Sequence, residues 1–188
     1  MLNTDNESSR LVTDLNFADE YPQRVLVLRS KAAPHIEETP WHRHQKGQLV
    51  MPLTGVVTSF IDDKMWLVPP RCAVWIPSMV IHRNQISPCA DVCMLFVDST
   101  DLSMPDKACT LTVTSLLREL TTSLATQEPD YEAGSATDRL VTVLLDQLVE
   151  QEREAFDFPI PDEPTLNRLA LALLAKPSEK RTLGQWAN

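Results

Sequence analysis

The apolar positions fall into two patterns that meet near Val113. Before it, short apolar and β-branched runs are separated by proline-rich turn signals: Arg24 to Arg29, Gln48 to Leu53, Gly55 to Ile61, Lys64 to Val68, Ala73 to Ile76, Ile81 to Ile86 and Val92 to Val97. These runs predict strands, with Asp62-Asp63 as a hairpin tip. So many short strands, with no helical pattern between them, predict an antiparallel sandwich or barrel rather than a parallel sheet with crossovers.

After Val113 the period lengthens from roughly 2 to roughly 3.6 residues. Val113, Leu116, Leu117, Leu120 and Leu124 share one stripe of a helix. A second helix is expected from Ala136, with Ser135 as its N-cap and Asp138 at the N3 position. Its apolar residues, Leu140, Val141, Val143, Leu144, Leu145 and Leu148, form a face wider than one small sheet requires. That face packs on the barrel and the preceding helix, forms a dimer interface through Leu140, Leu144 and Leu148, or does both. The expected fold class is mainly β with C-terminal α.

Composition then sets the organisation. Glu150 to Glu163 carries six acids against one arginine and ends in alternating prolines, the make-up of an extended, solvated connector. Pro164 suits the first turn of a further helix with the stripe Leu166, Leu169, Ala170, Leu173 and Leu174, stopped at Lys176-Pro177. Thr182 and Gln185 form a capping box for another helix, yet the sequence stops at Asn188. An isolated helix that short is not stable, which suggests a cut inside a second domain. The expected divisions are 1–20, a polar segment; 21–112, the barrel; 113–150, helices for dimerisation; 151–163, an acidic linker; and 164–188, the start of a truncated domain.

The 188 residues hold 17 basic and 26 acidic side chains, a formal charge of −9, with 43% apolar residues and a mean hydropathy of −0.17. That is enough for one ordinary domain and an appendage. The charge argues against a free-standing nucleic-acid binder, because duplex affinity rests largely on Lys and Arg neutralising phosphates. No apolar run approaches the ~18 to 20 residues of a membrane span. Met1 to Glu20 has neither a basic nor an apolar leader region, so a cytoplasmic location and no membrane partner are expected. Cys72, Cys89, Cys93 and Cys109 lack CxxC spacing and read as reduced core residues.

Candidate chemistry gathers on histidine. In His42-Arg43-His44 the two imidazoles, two residues apart on extended chain, face the same side. Gln48 keeps that parity, and His82 lies on a later strand that could pair nearby; His35 stands outside the pattern and reads as a surface residue. Three imidazoles and a side-chain oxygen could hold a divalent metal ion, or could line a ligand pocket and hydrogen-bond an organic molecule or one another. Trp41, Trp66 and Trp75 are candidate walls for that pocket, or ordinary core residues.

The stretches WHRHQKGQLVMPLTG and VPPRCAVWIPSMVIH resemble the two motifs of the cupin superfamily, matched at His42, His44, Gln48 and Gly55 and at Pro77 and His82. The resemblance implies a small jelly-roll barrel, a double-stranded β-helix. The chain departs from it in carrying Gln48 for the family's glutamate, Ile36, Arg71 and Met79 for glycines, and Ile86 for the closing asparagine, with Asn84 nearby. Loss of the carboxylate removes a negative charge from the ligand set, so metal affinity should fall.

The order of parts is more specific. A short barrel, the run VTSLLRELTTSLA, a second leucine-rich helix, an acidic linker and LNRLALALLAKPSEKRTLGQWAN together resemble the AraC family of transcription regulators, over about residues 20 to 188. The resemblance implies a barrel that senses a small-molecule effector, helices that form a homodimer, and promoter DNA bound only through a C-terminal helix-turn-helix domain, most of which this sequence lacks. It implies no enzyme activity. The alternative is a metal-dependent cupin enzyme, a dioxygenase or isomerase.

Overall fold

The computed structural model describes residues 17–154, 158–159, 163–175 and 180–186. The first sixteen residues of the N-terminal segment and the Lys176-Pro177 stop lie outside the described residues. A 3-10 turn over Phe17–Glu20 leads into β1 (Val25–Lys31), β2 (Glu37–Glu38), β3 (Gly47–Thr54), β4 (Val57–Ile61), β5 (Lys64–Val68), β6 (Cys72–Ile76), β7 (His82–Ile86), β8 (Asp91–Val97) and β9 (Cys109–Thr112). Helices α1 (Ser115–Leu124) and α2 (Ala136–Val149) follow, then β10 (Arg153–Glu154), β11 (Phe158–Pro159), α3 (Pro164–Ala175) and α4 (Leu183–Trp186). Among the described residues no helix is long and apolar enough to cross a membrane.

The strands form two antiparallel sheets. One has the order β1-β8-β3-β6-β9-β10 and the other β11-β5-β4-β7-β2. The first eight strands are thus shared between the sheets, four to each, in the order of a jelly roll. Each expected strand is present within a few residues, and Asp62-Asp63 closes the β4–β5 hairpin with Asp62 at φ 51°.

Two cores share one sheet. Between the sheets lie Leu26, Leu28, Val50, Val57, Ile61, Trp66, Val74, Ile76, Met94 and Phe96. On the other face of the β3 sheet, Leu49, Met51, Ala73, Trp75 and Leu95 pack against Leu117, Leu124, Val141, Leu144, Leu145 and Leu148 of the helices. The helices form because their apolar stripes find this second face, and their starts are capped. Thr114 Oγ1 accepts from Leu117 N–H at 3.2 Å, and Ser135 Oγ accepts from Asp138 N–H at 3.1 Å.

That placement corrects the expected dimer face. Leu144 and Leu148 are buried at 0% and 1% exposure within the chain, and Leu140 is half-buried against the same core. The wide apolar face is wide because α2 must cover both the sheet and α1. Leu116 and Val143 are the exposed large apolar residues of these two helices.

The described residues of the acidic connector are not merely solvated. Arg153 and Glu154 pair with Leu111 and Thr110 of β9, and Phe158 and Pro159 pair with Met65 and Lys64 of β5. Gln151 is buried, its amide donating to the Gln147 carbonyl. Residues 153–154 and 158–159 thus each pair with the edge of one sheet, and at the start of α3 the Glu163 carboxylate accepts from the N–H groups of Thr165 and Leu166.

Arg71 and Met79 hold φ values of 74° and 62°. They are two of the positions where the cupin resemblance has glycine, so the backbone keeps a left-handed turn that a Cβ resists. Arg71→Gly and Met79→Gly should each relieve that strain and stabilise the fold by about 1 kcal/mol. Urea unfolding followed by circular dichroism measures it; an unchanged or lowered midpoint would show the turns to be unstrained.

Candidate functional site

His42 and His82 form an antiparallel bridge, each backbone N–H donating to the other's carbonyl at 2.9 Å. The bridge lies at the end of β7 and brings the two imidazoles to a centroid separation of 4.2 Å. His44 sits in the turn leading into β3, its ring 5.1 Å from that of His82 and 5.7 Å from that of His42. Ligand atoms of the three rings lie within 4.8 Å of one another, so the sequence's histidine grouping is brought together in space.

The protonation of each ring follows from its neighbours. Nδ1 of His42 meets the Pro40 carbonyl at 2.9 Å, Nδ1 of His44 meets the Lys46 carbonyl at 2.5 Å, and Nδ1 of His82 meets the Val80 carbonyl at 2.9 Å. A carbonyl only accepts, so each neutral ring carries its proton on Nδ1 and leaves Nε2 as a bare acceptor. Burial pushes all three pKa values down, and that of His82 to about 3, so the rings are neutral at pH 7.

Gln48 completes the set. Its Oε1 lies 2.9 Å from His82 Nε2. A side-chain amide can present either end: its NH2 to a bare imidazole, or its oxygen toward a cation shared with the rings. His44 Nε2 is buried without a hydrogen-bond partner. An orphaned buried acceptor beside two further imidazoles and a reversible amide is a donor set that fits a divalent metal ion. It equally fits the N–H or O–H groups of an organic ligand.

The surroundings differ from those expected. Trp41 is 53% exposed and flanks the bridge from outside, its ring 5.6 Å from the Arg83 guanidinium. Trp75 pairs with Leu49 and points to the helix-side core, its indole N–H donating to the Pro105 carbonyl at 2.9 Å. Neither walls the histidine site; Trp66 does belong to the core between the sheets, where it is almost fully buried. His35 lies outside the cluster and is exposed.

Several contributors lie outside the motifs. Phe96 packs edge-on against His44 at 5.1 Å and against Phe17 at 5.7 Å. Lys46 Nζ donates to the carbonyls of Ala18 and Tyr21, while the Asp19 carboxylate accepts from the N–H groups of Gln45 and Lys46. These contacts hold the 3-10 turn against the loop that carries His44, beside an open depression of about 480 Å³ lined by Asp19, Glu20, Arg43, His44, Gln45 and Met79. Asn84, noted beside the motif's missing asparagine, accepts from Ser59 Oγ at 2.7 Å inside the barrel. No local signal in the sequence ties Phe17 or Asp19 to residues so far along the chain.

No family model matches the chain. Over 149 residues it is 38% identical to the HTH-type transcriptional regulator NimR of Escherichia coli strain K12, a match that takes in 79% of this chain and 55% of NimR. The chain thus spans about half the length of that relative. Among solved structures, the AraC-like transcriptional activator CuxR superposes with a TM-score of 0.52 at 12% identity, covering 87% of this chain and 65% of that one. Apo ToxT K231A from Vibrio cholerae gives 0.48 at 8% identity over 89% and 70% of the two chains. The chain is thus similar in sequence to a helix-turn-helix transcriptional regulator over about half of that relative's length, and similar in fold to CuxR.

Proposed function

We propose that this barrel is the effector-sensing part of the regulator and that His42, His44, His82 and Gln48 contact the effector. The observation that carries the reading is the buried, neutral group of Nε2 acceptors, one of them without a partner. Leaving a polar group unsatisfied in this way costs about 1 to 3 kcal/mol. A bound molecule that supplies donors or positive charge offsets that cost. The regulator homologue supports sensing over catalysis by a metal-dependent cupin enzyme.

A second reading of the occupant is favoured by the same atoms. A divalent metal ion would be held by His42, His44 and His82, with Gln48 as an oxygen donor, and would supply a fixed positive charge there. Promoter binding is a property of the complete regulator's C-terminal domain, for which residues 164–188 form the beginning. Dimerisation would use the exposed side of α1 and α2, at Leu116 and Val143.

Zinc(II) titrated calorimetrically into the chain should bind near one equivalent, and His44→Ala should weaken binding at least tenfold while leaving the circular-dichroism spectrum unchanged. Absence of binding of zinc(II), nickel(II) and iron(II) would reject the ion and leave the organic effector. Equal binding by wild type and His44→Ala would place the ion elsewhere.

Stability should depend on pH through the same rings. An unfolded His82 takes up its proton near 6.5, whereas the buried ring does so only near 3. Between those values the unfolded state binds more protons, so stability falls as pH falls. From pH 6.5 to 5 the loss should be about 2 kcal/mol for this one ring. Urea midpoints of wild type and His82→Gln across that range would diverge by this slope; parallel curves would mean that His82 is not held neutral.

Sedimentation separates the two faces of the helical layer. Val143→Asp should yield a folded monomer, whereas Leu144→Asp, placing a charge in the core, should cost roughly 4 kcal/mol of stability. A Val143→Asp protein that remains dimeric would exclude this side as the interface.

A further inference from the structure

His44 is the imidazole of the site whose Nε2 is buried without a partner, and the rest of the residue is held from three sides. Its Nδ1–H donates to the Lys46 carbonyl at 2.5 Å. Its ring meets that of Phe96 at 75°, with centroids 5.1 Å apart. Its own carbonyl accepts from the Met79 N–H at 2.9 Å. A bare nitrogen binds well only when its direction is set before the occupant arrives, because ordering a loose ring on binding costs affinity.

The first two of these supports trace to one turn far earlier in the chain, Phe17–Glu20. The Asp19 carboxylate accepts from the N–H groups of Gln45 at 2.8 Å and of Lys46 at 3.2 Å. The Lys46 ammonium donates to the carbonyls of Ala18 at 2.8 Å and Tyr21 at 2.5 Å. Phe17 meets the Phe96 ring at 79° and 5.7 Å. Lys46 is therefore held at its N–H and at its side chain, and the next residue, Gly47, opens β3 and pairs with Val97. The carbonyl between those fixed points is the one that receives the His44 Nδ1–H.

Lysine is an uncommon choice for this place. Lys46 is only 8% exposed, and an ammonium taken out of water is destabilising unless acceptors surround it. A methionine of similar length would fill the space without that demand, so filling space does not account for the charge. What the ammonium adds is direction: it aims at two carbonyls of the turn whose Asp19 grips the adjacent N–H groups. His42 and His82 are supported differently, since their Nδ1 atoms face the carbonyls of Pro40 and Val80.

We infer that Lys46 and Asp19 are positioning residues of the histidine site: they lock the Lys46 carbonyl that fixes the His44 tautomer and so aim its Nε2 at the occupant. Phe17 completes the arrangement by bracing Phe96 against the His44 ring. The inference rests on the reading of that site as the effector site, although the state of His44 is measurable without any occupant.

Heteronuclear NMR spectra of the imidazole nitrogens at pH 7, assigned with single His→Gln variants, test it on the 188-residue chain, with zinc(II) calorimetry in parallel. In wild type His44 should appear as the Nδ1–H tautomer. Lys46→Met should turn the His44 signals into those of exchanging tautomers while His42 and His82 keep theirs. Zinc(II) binding should weaken about tenfold in that variant, the usual effect of losing a partner that orients a ligating imidazole. Lys46→Arg, which restores donors to the two carbonyls, should restore the His44 signals and bring zinc(II) affinity to within about threefold of wild type. If Lys46→Met fails to fold, Asp19→Asn takes its place, since it keeps the lysine and removes one of the two acceptors. A folded variant with unchanged His44 signals, or with all three rings altered alike, overturns the inference, the second because it marks general loosening. Altered His44 signals with unchanged zinc(II) affinity, or a Lys46→Arg protein no better than Lys46→Met, overturn it as well. If wild type binds no zinc(II), the ion reading fails by itself, and a selective loss of the His44 tautomer that Lys46→Arg restores still sustains the positioning role.

Discussion

Strand β3 is buried on both of its faces, and the rest of the molecule is arranged around that constraint. From Gly47 to Leu53 every residue is buried. Gln48 and Val50 turn toward the second sheet, while Leu49 and Met51 turn toward the helices. A strand with two dry faces demands two covering layers, so the helical pair is part of the barrel's stability and not an accessory to it. Gly47 shows how closely the layers fit: a Cβ there would meet the Trp75 ring at 2.2 Å. Gln48 is the polar exception in this strand, and it is the residue that joins the histidines.

The same constraint explains which readings the sequence supported. Alternation and turn residues disclosed the long strands, and the helix caps at Ser135 and Thr182 were legible because a cap is a local event. The strands β2, β10 and β11 have two residues each, too few to carry any period. They exist because a sheet edge was available. Side assignment failed where a run is apolar on both faces: nothing in Ala73 to Ile76 says that Trp75 turns to the helices while Val74 and Ile76 turn inward. Leu144 was ambiguous for the same reason, since a buried face looks alike whether a sheet or a second subunit covers it. The histidine grouping was legible because its spacing is short and because His82 could be matched by motif; Phe17, Asp19 and Phe96 are joined to it only by tertiary packing.

The barrel interior is mixed. Both sheets contribute apolar side chains, Leu26, Leu28, Val50, Val74, Met94 and Phe96 from the β3 sheet and Val57, Ile61 and Trp66 from the other, and the opposite sheet adds the buried polar groups Ser59, His82 and Asn84. Most of these polar groups are satisfied in place: Ser59 donates to Asn84, and Asn84 N–H donates to Thr39 Oγ1 at 2.9 Å. Within the histidine group, His44 Nε2 is left without a partner, and His44 also lines the open depression beside it. Polarity is therefore tolerated through the wall and left incomplete at His44.

Gln48 gives that incomplete place its character. A carboxylate at this position, 2.9 Å from the bare nitrogen of His82, would be a buried negative charge and would require either protonated imidazoles or a permanently resident cation. With an amide, and with three rings kept neutral by burial, the group carries no net charge of its own. The amide can also reverse, turning its NH2 toward the bare Nε2 of His82. Replacement of the acid by its amide therefore removes a charge that the neutral rings alone could not balance.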